Sequence, residues 1–202
     1  MSPDALLYRL LYRIGFKPWE ERPRSDLLEA AVAGPGALQP GRALDIGCGT
    51  GPDAVYVASH GWRVTAVDMV EKALAQGEDR AEREGVEVDF RLGDVTDLHG
   101  LGLGPGYSLL YDFGCIHGLP DRKRRAAIKG VTELAAPGAT LILLAFHRGR
   151  RAFLPRGMDP DEVSKSFGEG WEPVDQVTHQ QPEMPRPIRR ARPIDYRLIR
   201  RA

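Results

Sequence analysis

The stretch LDIGCGTG at residues 44–51 constrains the fold more than any other feature of the chain. An apolar run ends abruptly in Gly47, Gly49 and Gly51, and Pro52 and Asp53 follow at once. Glycines at alternate positions strip the backbone of side chains and permit a tight turn. Pro52 suits the first position of a helix, and Asp53 suits its positively polarised first turn. The predicted unit is therefore strand, bare turn, helix, with a helix N-terminus open to an anion.

The same alternation continues along the chain. Residues 42–47, 63–68, 88–94, 108–114 and 139–146 are short apolar runs bounded by Gly or Asp, as expected of strands inside a parallel sheet. Helical patterns lie between them: one from Pro52 to a stop at Gly61, one over 71–85, and one from an N-cap at Asp121 to Pro137-Gly138. Beyond residue 147 the pattern changes. WEPVDQVTH (171–179) and IDYRLIRR (194–201) read as two strands of an antiparallel hairpin. The expected fold class is α/β: Rossmann-like and doubly wound, with a mostly parallel seven-stranded sheet, a C-terminal antiparallel hairpin and an N-terminal helical lid. At 202 residues this is one expected domain (1–202), with a lid over 1–24, a cofactor-binding core over 40–147 and sheet-completing strands over 148–202.

The turn does not fit a nucleotide phosphate. Pro52 stands where G-x-G-x-x-G would need its third glycine, and no Lys-Ser or Lys-Thr follows as in a P-loop. A carboxylate can occupy the helix N-terminus instead. Asp68, ending the second strand, is placed to accept from both hydroxyls of a ribose, and Asp94, after the third, to take an exocyclic amine. Carboxylates at the carboxyl ends of neighbouring strands outline a pocket at the point where the strand order reverses.

LDIGCGTG, VTAVD, LGDV and LLYDFGCIH together resemble the class I S-adenosylmethionine-dependent methyltransferases over residues 40–147. The resemblance implies S-adenosyl-L-methionine as cofactor and S-adenosyl-L-homocysteine as product. Asp45, Gly47, Cys48, Gly49 and Gly51 would line its methionine part, Asp68 would hold the ribose and Met69 would pack on the adenine. Asp94 and the backbone of Val95 would meet the adenine amine, while Asp112 and Phe113 would close the side nearest the sulfonium. GFKPWEERPRSDLLE (15–29) and YDFGCIHGL further resemble the thiopurine, thiol, halide and tellurite-resistance methyltransferases. That narrower resemblance implies a small soft or heteroaromatic acceptor, with Trp19 as part of a lid and His117 near the acceptor. Asp112 and His117 are the catalytic candidates, His117 as a base or orienting group.

Plainer readings stand beside these. His117 can be a hydrogen-bonded structural residue, and Cys48 and Cys115 small buried hydrophobes. DFG at 112–114 lacks the companion motifs of a kinase, and the five histidines show no metal-ligand spacing, so no metal is expected. Leu6, Leu7, Leu10, Leu11 and Ile14 fall at helical spacing, forming either a docked helix or a mobile cap. Tyr8, Tyr12, Phe16, Phe153 and Trp171 offer aromatic surface for a planar substrate. RKRR (122–125) reads as a solvated face, and Arg186, Arg189, Arg190, Arg192, Arg197, Arg200 and Arg201 as a charged strand edge or as a dock for an anion.

A count of 28 basic against 28 acidic residues gives net charge zero, which disfavours a nucleic-acid partner. No run is long enough to span a bilayer, the N-terminus lacks the pattern of a signal peptide, and two cysteines make no disulfide framework, so a cytoplasmic protein is expected. The alternative is an RNA or protein methyltransferase docking through the Arg-rich C-terminal region; a non-catalytic cofactor-binding regulator is a third reading.

Overall fold

A computed structural model describes residues 10–15, 22–149, 156–178 and 191–202. Trp19, Leu6, Leu7, Tyr8, Phe16, Phe153, Arg186, Arg189 and Arg190 lie outside the described residues.

A short helix α1 (Asp26–Val32) precedes the first strand, β1 (Arg42–Ile46). Two strand–helix–strand crossovers follow: α2 (Pro52–Ser59) leads to β2 (Arg63–Asp68), and α3 (Glu71–Glu84) to β3 (Val88–Leu92). The chain then returns to the other side of β1 as β4 (Tyr107–Phe113), continues through α4 (Asp121–Leu134) to β5 (Ala135–Phe146), and ends with α5 (Pro160–Phe167), β6 (Trp171–Thr178) and β7 (Pro193–Arg200). The seven strands lie in the order β3-β2-β1-β4-β5-β7-β6. All pairs among the first five strands are parallel, and β7 is antiparallel to both β5 and β6. The order reverses between β1 and β4, so the loops leaving their carboxyl ends diverge and leave a crevice.

Central strands bury both faces. On one face Leu44, Ile46, Leu110, Leu141 and Leu143 pack with Leu98, Val131, Leu134 and Trp171. On the other, Ala43, Leu109, Tyr111 and Ile142 pack with Leu28, Val57 and Trp62. Each fully buried Leu contributes about 1.5–3 kcal/mol relative to an exposed one. Two polar groups within these layers find partners: Tyr107 Oη donates to Thr65 Oγ1 at 3.1 Å, and Trp171 Nε1 donates to Thr132 Oγ1 at 2.9 Å.

Local differences from the sequence reading have physical causes. The third strand stops at Leu92 rather than 94, because Asp94 turns its carboxylate back onto Thr96, accepting from the Thr96 backbone N–H at 2.9 Å and its hydroxyl at 2.8 Å to cap a 3₁₀ turn over Val95–Asp97. The fifth strand starts at Ala135 rather than 139. Pro137 and Gly138, read as a helix stop, fall within it, and the pairing slips between Tyr107–Ala135 and Leu109–Thr140 to absorb them in a bulge. Asp121 is the first residue of α4 rather than its cap, with Pro120 in the cap position. Helices α1 and α5, of seven and eight residues, are too short for a clear apolar period and were not foreseen.

Candidate functional site

The glycine turn folds back over the end of β2. Backbone N–H groups of Gly47 and Cys48 both donate to the Val67 carbonyl, at 2.8 and 3.0 Å, and Gly51 N–H closes the turn on Cys48 O at 2.9 Å. Gly51 sits at φ +67°, and a Cβ there would lie 2.8 Å from the Phe90 ring; at Gly47 one would lie 2.6 Å from Cys115 Cβ. Glycine is thus demanded from both sides: by the turn itself and by β3 and the segment after β4 packed against it.

Asp68 reaches into this turn. Its Oδ2 accepts from Gly49 N–H and its Oδ1 from Val70 N–H, each at 2.9 Å. Carboxylate oxygens have lone pairs beyond one bond each, so the side chain remains able to accept from a diol. Met69 packs on the cluster of Tyr12, Val70 and Ala73 beside it. Asp94 lies at the next strand end in its capping role, and Val95 is buried in the core.

Beneath the turn lies a cavity of about 150 Å³ whose walls include Tyr12, Arg22, Asp45, Cys48, Asp53 and Phe113. Whole-ligand sites usually occupy about 300–1,000 Å³, so this cavity suits one end of a larger molecule. Arg22 pairs with the buried carboxylate of Asp53, and its guanidinium lies 4.3 Å over the Phe113 ring. Arg24 Nε donates to Asp53 Oδ1 at 3.0 Å while its guanidinium stacks 3.8 Å over Tyr56. Two cations thus face the amino end of α2 and the glycine turn, both paired with the Asp53 carboxylate.

Sequence reasoning missed Arg22 and Arg24 as site residues and read Asp53 only as a first-turn residue of its helix, whereas Tyr12, read as aromatic surface for a substrate, does line the cavity. The signal for the arginines was the RPR triplet: proline holds the preceding residue extended, and alternate residues of an extended segment share a face.

Buried acids crowd this floor. Burial raises the Asp45 carboxyl well above its ordinary range, with Asp53 adding to the rise and Arg22 opposing it. Burial likewise raises the Cys48 and Cys115 thiols, keeping them protonated and poorly nucleophilic. Asp112 is fully buried at the end of β4. It accepts from Gly114 N–H and Cys115 N–H at 3.1 Å and from Ile116 N–H at 2.8 Å. Burial lifts its pKa to about 7 against the opposing pull of those three bonds. Its carboxyl therefore anchors the 3₁₀ turn Ile116–Gly118. On that turn His117 is fully buried, its ring centroid 4.5 Å from that of Phe146. Its Nδ1 lies 3.0 Å from Leu144 O. A carbonyl only accepts, so Nδ1 carries the proton and Nε2 carries the lone pair in the neutral ring.

Asp45, Gly47, Cys48, Gly49 and Phe113 thus line one crevice with Arg22, while Asp68 reaches the turn through Gly49 N–H and Gly51 packs toward Phe90. Asp112 and His117 belong to the adjoining β4 turn. No group of three metal-ligating side chains occurs among the described residues, and no helix among them is long and apolar enough to cross a membrane.

Comparison with known proteins agrees with this geometry. Residues 43–138 match the methyltransferase domain family. A 2-heptyl-1-hydroxyquinolin-4(1H)-one methyltransferase of Mycobacteroides abscessus is 29% identical over 166 residues, covering 81% of this chain and 67% of that protein. A ubiquinone biosynthesis O-methyltransferase of Xanthomonas campestris is 29% identical over 147 residues, covering 73% of this chain. The chain spans 59% of that relative's length. In fold, a 1,6-didemethyltoxoflavin N1-methyltransferase of Burkholderia thailandensis, solved with S-adenosylhomocysteine, superposes with a TM-score of 0.75 at 24% identity, over 100% of this chain and 91% of that one. By the match of residues 43–138 to a methyltransferase domain, and by its fold, the chain is similar to the class I S-adenosylmethionine-dependent methyltransferases.

Proposed function

We propose that the chain, as one domain over residues 1–202 with an N-terminal lid over 1–24, moves a methyl group from S-adenosylmethionine to a small-molecule nucleophile, the sulfur, nitrogen or oxygen of a thiol, heteroaromatic or phenol-like acceptor. The observation that carries the reading is Asp68 held at the glycine turn by Gly49, with Arg22 facing the same turn. That pairing presents an acceptor for a ribose and a cation for an amino-acid carboxylate. The names of the relatives, which specify a hydroxyquinolinone and a ubiquinone precursor pathway, support a planar small acceptor. A cytoplasmic setting accords with the free cysteines Cys48 and Cys115.

When bound, the cofactor supplies an electrophilic methyl on a sulfonium that is already a good leaving group. The protein's residues align and desolvate. Gly47, Cys48, Gly49 and Gly51 make room for the amino-acid end, with Asp45 beneath and Arg22 on its carboxylate. Asp68 would hold the ribose, Met69 would pack on the adenine, and Asp94 and the backbone of Val95 would meet its amine. Phe113 walls the acceptor side, and Trp19 belongs to the lid. Asp112 acts through the turn it anchors. His117, its tautomer set by Leu144 O, takes at Nε2 the proton that the acceptor loses as its new bond to carbon forms.

The test is incubation with methyl-labelled S-adenosylmethionine and a panel of thiols, phenols, hydroxyquinolones and RNA. Label on a small acceptor is expected; label on RNA alone overturns the reading. Among acceptors that must be deprotonated, His117→Ala should cost about 10²–10⁴-fold in turnover. Full turnover with unchanged S-adenosylhomocysteine affinity removes His117 from the chemistry.

A further inference from the structure

We propose that Arg124, on α4 outside the cofactor pocket, is a positioning residue that sets the His117 turn and ties it to Glu162 on α5. The inference rests on the proposed placement of His117 at the acceptor.

Arg124 is only 4% exposed, and an isolated buried guanidinium is costly unless its donors are satisfied. Here three of its contacts converge on the turn. Nε donates to Ile116 O at 3.3 Å, and Nη2 donates to His117 O at 3.1 Å and to Leu119 O at 2.9 Å. The remaining nitrogen, Nη1, donates to Glu162 Oε1 at 2.7 Å. Glu162 also pairs with Arg156, which reaches Asp121 at the start of α4 at 3.2 Å.

The turn is thus clamped on both its polarities. Asp112 takes its N–H groups from below, and Arg124 takes its carbonyls from the side. His117 sits between the clamps, and its Nδ1–H bond to Leu144 O requires the turn to stay where they put it. A planar fork with donors in three directions is needed for this; a lysine ammonium in the same place reaches fewer of the carbonyls. Glu162 holds the guanidinium in orientation from the far side, so the segment after β5 is mechanically joined to the residue that faces the acceptor.

The experiment compares Arg124→Lys and Glu162→Gln with the parent protein, all saturated with S-adenosylhomocysteine. Long-range ¹H–¹⁵N correlation spectra of the imidazoles report the His117 tautomer, and calorimetry reports S-adenosylhomocysteine affinity. The parent should show a single Nδ1–H form. Arg124→Lys should show a mixture and Glu162→Gln a smaller change, with affinity held within about twofold. An unchanged His117 signal in both variants overturns the proposal, as does a loss of cofactor-product affinity of tenfold or more in both, which would make the network a general strut. Glu162→Gln keeps the test decisive if Arg124→Lys does not fold. For turnover, with phenol, which stays protonated at neutral pH, as the probe, Arg124→Lys should lower kcat at least tenfold, and the loss should vanish in a His117→Gln background. Should His117→Gln alone keep full kcat, the assignment of a base falls, while the tautomer spectra still decide the role of Arg124.

Discussion

Asp68 Oδ2 accepts a 2.9 Å hydrogen bond from the backbone N–H of Gly49, so the end of β2 and the glycine turn after β1 are joined by a single side chain. The carboxylate is thereby aimed before any cofactor arrives. Asp68→Ala should weaken S-adenosylhomocysteine binding about 10–100-fold, since hydrogen bonds to a charged group contribute about 1.5–3 kcal/mol and each 1.4 kcal/mol is about tenfold. Calorimetry with the parent as reference checks this.

The arginine opposite should discriminate between the two ends of the cofactor. Arg22 faces the glycine turn and the start of α2, where an amino-acid carboxylate would sit. Arg22→Ala should weaken S-adenosylhomocysteine about tenfold while leaving 5′-methylthioadenosine, which lacks the amino-acid tail, nearly unaffected. Equal weakening of both would place Arg22 elsewhere in the binding energy.

Phe90 is wedged between two glycines. A Cβ at Gly51 would meet its ring at 2.8 Å, and one at Gly77, midway along α3, at 2.7 Å. Gly51→Ala adds the strain of a left-handed backbone, about 1–2 kcal/mol, to that clash. A loss of about 2–3 kcal/mol is expected, or a Tm lower by about 5–10 °C for a chain of this size. Phe90→Leu should relieve the clash but not the backbone strain, so the double variant should lose less than the sum of the single ones.

Asp112 gives a pH signature. Its folded pKa of about 7 stands above its ordinary value of 3.8. Between those values the folded protein holds a proton that the unfolded chain has released. The stability this contributes is fully present below the lower value and is lost as pH rises through the upper one. Asp112→Asn should flatten the fall in Tm between pH 4 and pH 7 relative to the parent. It should also be less stable overall, because the amide offers one acceptor oxygen to the three N–H groups of Gly114, Cys115 and Ile116. A parallel pair of Tm–pH curves would contradict the assignment.

Most of the sheet was legible because its signals are local: apolar runs closed by Gly or Asp, and helices opened by Pro52 and closed by Gly85 at φ +65°. The terminal hairpin was also legible, from two apolar runs flanking a Pro- and Arg-rich stretch. That β7 enters the sheet between β5 and β6 depends on long-range pairing that no local pattern encodes. The glycine turn and Asp68 stood out because their residue types and spacing carry the proposed binding chemistry. Arg22 and Arg124 did not, since an arginine reads as surface until its partners, Asp53 in one case and the carbonyls of Ile116, His117 and Leu119 in the other, are brought to it by the fold.

The place of β7 carries a consequence for how the molecule is made. A strand synthesised after β6 lies inside it, hydrogen-bonded to β5 along one margin and to β6 along the other. Until residues 193–200 have left the ribosome, β5 presents a raw margin and β6 has no strand partner among the described residues. Nascent chains halted before that point should be sticky and protease-sensitive, and maturation of the sheet should finish only after release of its latest-born segment.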